Sequence, residues 1–219
     1  MKTSKILDFL SQLQENNNRD WFQEHKKDYK EAKEAMLALI QQLIDQISRF
    51  DSSIGLLEPK QCLFRIYRDV RFSKNKEPYK NNMGGFLVMG GRNSGNAGYY
   101  LHLEPGNSFV GGGIHRPEPK QLKAIRDEIS YAGGELKSVI EAKEFKNNFF
   151  TISGDSLVRP PKGYHPDSEH IELLKMKSFT VFKAIDDSFL SEEDFVDRLI
   201  PLFKAMQPFN RFFNRAFED

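Results

Sequence analysis

Along the first fifty residues apolar side chains recur every three or four positions. Ile6, Phe9, Leu10 and Leu13 mark a short amphipathic helix that starts after Thr3 or Ser4. Asn16-Asn17-Asn18 stops it, because asparagine side chains compete for backbone hydrogen bonds, and Asn18 can open the next helix. No glycine or proline occurs from Arg19 to Phe50. There Phe22, His25, Tyr29, Ala32, Met36, Leu39, Leu43, Ile47 and Phe50 fall on one stripe. The stripe predicts a second helix ~45 Å long at about 1.5 Å per residue.

Between Gln61 and Gly113 the period changes to two. Phe64, Ile66, Val70 and Phe72 alternate with Arg65, Tyr67, Asp69 and Arg71, the pattern of a half-buried strand. A second strand is expected at Gly85–Met89, followed by a glycine-rich loop to Gly98. Tyr99–Leu103 and Phe109–Gly113 form a hairpin turning through Pro105-Gly106-Asn107. That turn would set Gly111–Gly113 opposite Tyr99–Leu101. Pro117 and Pro119 open a helix to about Tyr131, Gly133-Gly134 interrupts it, and Glu135–Asn148 reads as another helix. Thr151–His170 is a proline-stiffened loop with a short strand near Ser156–Arg159. Ile171–Phe182 is ambiguous, its half from Ser178 the more strand-like. Ser191–Asp194 caps a last helix that Pro208 breaks or kinks. The element order indicates an α+β fold, a mainly antiparallel sheet packed on one face by helices.

Length and composition then narrow the picture. The 219 residues suit a single domain, with a helical segment 1–50, a sheet core 58–116 and a helical remainder 117–219. Nineteen phenylalanines can build a core from few, large side chains. Thirty-two basic against 31 acidic residues leave a net charge of +1, so any electrostatic function must come from local clustering. Cys62 is the only cysteine and excludes an internal disulfide; beside Leu63 and Phe64 it reads as a small buried hydrophobe. The N-terminus lacks the apolar core of a signal peptide and no stretch reaches the ~20 apolar residues of a membrane span, so a cytoplasmic location is expected.

The clustering sits at FRIYRDVRFSKNKEPYK, Phe64 to Lys80. It holds Arg65, Arg68, Arg71, Lys74, Lys76 and Lys80 against only Asp69 and Glu77. Guanidinium forks and ammonium groups meeting at one locus suit a phosphate or carboxylate. On strict alternation Arg68 falls on the apolar side and requires a carboxylate partner or a bulge. Tyr79 and two histidines could handle protons. His102 lies two residues from Glu104 on one strand face, where a carboxylate can orient an imidazole. His115 follows Gly111–Gly113, and Arg116 sits just before a helix N-terminus. The glycines lack the spacing of a nucleotide-binding loop. Lys162 lies on the loop RPPKGYHPDSEH, whose His165, Asp167 and His170 match no standard metal spacing, so neither metal nor cofactor is expected.

Four stretches, FLSQLQENNNRDWFQEHKKDYKEA, FRIYRDVRFSKNKEPYKNNMGGFL, GYYLHLEPGNSFVGGGIHRPEP and RPPKGYHPDSEHIELLKMKSF, together resemble the bacterial and fungal proteins of domain of unknown function 2461. They follow in order over nearly the whole chain, and the resemblance implies a single domain. It brings no reaction and no catalytic residues. Three readings of function stand open. The first is a basic pocket for a small anionic ligand, with or without catalysis. The second is a module for nucleic acid or an acidic protein, stacking on Tyr67, Tyr79 and Tyr99. The third is an interaction scaffold built on the long helix.

Overall fold

A computed structural model describes residues 2–218, apart from the Lys2 side chain. Helix α1 (Lys2–Glu15) presents Ile6, Phe9, Leu10 and Leu13 to the core, the stripe its spacing predicts. The three asparagines that end it have separate jobs. Asn16 Nδ2 donates to the Gln12 carbonyl, Asn18 Oδ1 accepts from Trp21 N at the start of α2 (Arg19–Glu24), and Asn17 reaches across to Tyr79.

The helix expected from Arg19 to Phe50 is two. His25 leaves helical geometry at φ −99°, ψ 22°, and α3 runs from Lys26 to Ile47. The imidazole stacks on Trp21 at 4.1 Å, and its Nδ1 lies 2.9 Å from the Trp21 carbonyl oxygen. A side chain reaching the carbonyl one turn back is a recognised cause of a helix break.

A 3₁₀ turn (Ser52–Ile54) and the short α4 (Pro59–Cys62) follow. The sheet comprises β1 (Met83–Leu87), β2 (Gly98–Leu103), β3 (Ser108–Ile114) and β4 (Phe179–Ile185), ordered β1-β2-β3-β4 and antiparallel throughout. Between β3 and β4 the chain forms α5 (Pro119–Glu141), α6 (Lys143–Asn148) and α7 (Ile171–Lys175). After β4 come α8 (Asp187–Leu190) and α9 (Phe195–Arg215). The architecture is α+β.

Alternation along the strands decides which face is covered. Leu87, Tyr99, Leu101, Leu103, Val110 and Val181 are buried on the helical face. There Gly85 lies under Ile40 of α3 and Gly112 under Met206 of α9. One buried cluster joins α1, α3, the sheet, α5 and α9. The opposite face carries Phe86, Tyr100, His102, Phe109 and Phe182, the last 57% exposed. Among the described residues no helix is long and apolar enough to cross a membrane.

Several local expectations change. Phe64–Phe72 is not a regular strand. It runs antiparallel beside residues 78–85, through Phe64 N to Gly84 O (3.0 Å), Lys80 N to Ile66 O (2.8 Å) and Arg68 N to Pro78 O (2.9 Å). Bridges form only at Leu63–Gly85 and Tyr67–Tyr79, and the register slips by two residues between them, at Asn81 and Asn82. The alternation of charge there serves local pairing, described below, and Phe72 is exposed. The hairpin turn has four residues, Glu104–Asn107, closed by Asn107 N to Glu104 O (2.9 Å), with Pro105 second and Gly106 at φ +69°. That is the type II arrangement, which needs glycine in third place. It sets Tyr99 opposite Gly112 and Tyr100 opposite Gly111, one residue from the expected register. Helix α5 kinks at Ala132 and continues through Gly133-Gly134. Ser153 and Ser156 make isolated bridges, not a strand. Helix α9 continues through Pro208.

Candidate functional site

Asn17 fixes the basic segment to the helical layer. Its amide nitrogen donates to the Tyr79 carbonyl (3.1 Å) and to Asn81 Oδ1 (2.8 Å), and its carbonyl oxygen accepts from Tyr79 N (3.2 Å). Tyr79 itself is 4% exposed and stacks on Phe22 with ring centroids 3.9 Å apart. Burial raises its pKa, with smaller effects from Tyr67 and Arg19. The geometry makes Tyr79 an anchor for the segment.

The six basic residues divide by what they touch. Arg71 holds Asp69 through Nε (2.9 Å) and Nη2 (2.6 Å), which keeps the Asp69 carboxyl below its ordinary range. Arg68 donates to the Glu77 carbonyl (3.1 Å) and lies 3.6 Å from its carboxylate, the partner that its place on the apolar side requires. Lys76 Nζ donates to the carbonyls of Val70 and Arg71, closing the loop. Lys74 is exposed. Arg65, exposed like Lys74, and the half-buried Lys80 lie within each other's field. Neither side chain makes a hydrogen bond or an ion pair among the described residues, although Asp69 lies within the field of Arg65. Burial lowers the Lys80 pKa and the positive charge of Arg65 lowers it further. The ammonium stands 5.5 Å from the centroid of the Phe64 ring.

Phe64 begins a row of rings across the uncovered face of the sheet. Phe64 meets Tyr100 edge-on at 6.1 Å, Tyr100 lies 5.6 Å from Phe109, and Phe109 meets Phe182 at 6.1 Å. His102, 9% exposed, stacks on Phe109 at 4.5 Å with planes 15° apart. The imidazole bridges two partners, Nδ1 to Tyr100 Oη at 3.0 Å and Nε2 to Glu104 Oε2 at 3.1 Å. Asn107 Nδ2 also donates to that carboxylate oxygen (2.9 Å). The spacing of His102 and Glu104 is thus realised as a hydrogen bond. Tyr100 is the residue that sequence reasoning missed. Its signal was the same two-residue step, taken once more toward the N-terminus.

Other candidates lie apart. His102 pairs with Phe109 in the sheet, whereas His115 follows the far end of β3, so the two histidines are separated by roughly 20 Å of strand. Arg116, at φ +49°, donates its backbone N–H to Ser178 Oγ (2.9 Å) in the β3–α5 connection. Lys162 is exposed on a loop that docks on α5 through the Tyr164 hydroxyl and Asp127 (2.8 Å). In that loop His165 turns back toward Asp167, and His170 lies against Gly133. Of the three tyrosines considered for stacking, Tyr99 is fully buried and donates to Asp51 (2.7 Å), Tyr79 is buried, and only Tyr67 is exposed. Cys62 is buried, which pushes its thiol up to about 11.

A family model described as "Conserved hypothetical protein (DUF2461)" matches residues 5–212. The chain belongs to the DUF2461 family. The match takes in both the ribbon that carries Lys80 and the strand that carries His102. No curated protein and no solved structure is similar to this DUF2461 chain.

Proposed function

We propose that the protein binds a small anionic ligand with a planar apolar portion at the edge of the uncovered sheet face. Lys80 and Arg65 receive the anionic group, and Phe64 with the neighbouring rings supports the planar part. The observation that carries this reading is Lys80. It is a half-buried ammonium beside a second cation, with no carboxylate or carbonyl among the described residues to receive its three donors. Burial and like charge both disfavour the protonated state, and an anion would relieve both. Cations over aromatic faces and charge-assisted hydrogen bonds are the forces available. A cytoplasmic setting suits the reading, since the lone Cys62 has no partner to oxidise with.

Titration with benzoate followed by amide NMR tests it. Saturable shifts are expected at Phe64, Lys80 and Tyr100, and Lys80→Met should weaken binding by roughly tenfold or more, the scale of one charge-assisted hydrogen bond. Equal affinity in Lys80→Met would overturn the assignment. So would a response to heparin alone, because a polyanion surface does not need this lysine. Affinity should also decline with rising pH earlier than an ordinary lysine near 10.5 would dictate, because the Lys80 pKa is lowered.

A further inference from the structure

Tyr100 and His102 leave the same face of β2, Glu104 follows at the first position of the turn, and their functional groups join end to end. With Glu104 ionised, Nε2 of the imidazole carries the proton and Nδ1 is left to accept the phenol hydrogen; this tautomer follows from the hydrogen-bond network. Each member is held. Asn107 fixes the carboxylate, Phe109 fixes the plane of the imidazole, and Gly84 clears space for the phenol, since a Cβ there would stand 2.5 Å from Tyr100 Oη. Hydroxyl, imidazole and carboxylate in this order are a nucleophile, a general base and the group that orients the base. Burial, then the Glu104 charge, push the Tyr100 phenol up to about 12. It therefore stays protonated at neutral pH unless a base removes the proton during attack.

We propose that Tyr100 is a nucleophile, activated by His102, toward carboxylic esters that carry a planar apolar group. Tyr100 Oη bonds to the ester carbonyl carbon while its proton passes to His102 Nδ1. The bond from carbonyl carbon to alcohol oxygen then breaks, and the leaving alcohol takes that proton. Water, deprotonated by the same nitrogen, attacks the acyl-tyrosine, releases the carboxylic acid, and the proton returns to the phenol. Glu104 is a positioning residue that stabilises the transient imidazolium. The substrate class follows from the surroundings. Rings flank the phenol, and the charge that raises its pKa is the negative one of Glu104, which repels a phosphate but not a neutral ester. This inference does not depend on anion binding at Lys80.

Phenylmethanesulfonyl fluoride, which transfers its sulfonyl group to activated phenols with loss of fluoride, reads the activation directly. Peptide mass spectrometry would compare Tyr100 with Tyr131, which is 90% exposed and serves as an internal standard. Tyr100 should be modified roughly a hundredfold faster at neutral pH, the scale of general-base assistance. His102→Gln should abolish that advantage, and Glu104→Gln should displace the pH profile of labelling, which a merely structural role would not do. A rate at or below that of Tyr131, or one unchanged in His102→Gln, would refute the relay. With p-nitrophenyl acetate, a stoichiometric burst absent in Tyr100→Phe supports the ester class. No burst, or one with p-nitrophenyl phosphate instead, refutes that class. Labelling that survives Lys80→Met separates this relay from the anion reading.

Discussion

Asn17 and Cys62 carry consequences out of proportion to their size. The Asn17 amide makes three hydrogen bonds, two of them to the backbone of Tyr79, and it can do so because a short stem carries a two-hydrogen donor and a separate acceptor side by side. Asn17→Ala strands partly buried backbone groups, so a loss of about 2 kcal/mol is expected in denaturant unfolding. Because the same clasp positions Lys80, benzoate affinity should fall with it. Cys62 should resist Ellman's reagent in the native protein and react on unfolding, since the thiol is both buried and held near 11. Tyr100 sets a pH window. Its folded pKa lies above the unfolded value of 10, so the folded state keeps a proton that the unfolded state releases. The stability it contributes is complete below pH 10 and lost as pH climbs toward about 12. Tyr100→Phe should flatten the alkaline limb of the stability profile.

Among the elements, α9 departs furthest from local preference. Pro201 and Pro208 stand seven residues apart on its exposed face, yet the helix is continuous. The carbonyls of Asp197 and Lys204 lose their intrahelical partners on the watered side, while Phe203, Met206, Phe209 and Phe213 stay buried on the other. Packing against the sheet outweighs propensity. Pro208→Ala should therefore raise stability by about 1–2 kcal/mol, read as a higher thermal midpoint. The ribbon before β1 shows the reverse, a strong pattern without a regular element. Its alternation was legible, but the two-residue slip at Asn81 and Asn82 depends on Asn17, some sixty positions away. Helices α1 and α3, the hairpin strands and the point where α9 begins could be read because their determinants lie within a few residues, although Asp194 precedes α9 without the expected side-chain cap. Pairing of β4 with β3 could not, since more than sixty residues separate them.

Across the whole molecule, helices cover one side of the sheet and leave the other to a row of rings. The sequence carried this asymmetry in the strand β2, where Leu101 and Leu103 alternate with Tyr100 and His102. It also carried the link from His102 to Glu104. What it could not carry was the sorting of the cations. Arg68 could be singled out by its place in the alternation, but Arg71 and Lys76 look the same in one dimension as Arg65 and Lys80, and only the folded chain shows which have found acids or carbonyls. The single tryptophan lies elsewhere, at the junction of α2 and α3, flat against His25. An indole's emission responds to what stacks on it. The tryptophan emission of the protein thus reports whether that helical junction stays closed, and events on the ring-lined side of the sheet call for a second indole placed there, for instance at Phe182.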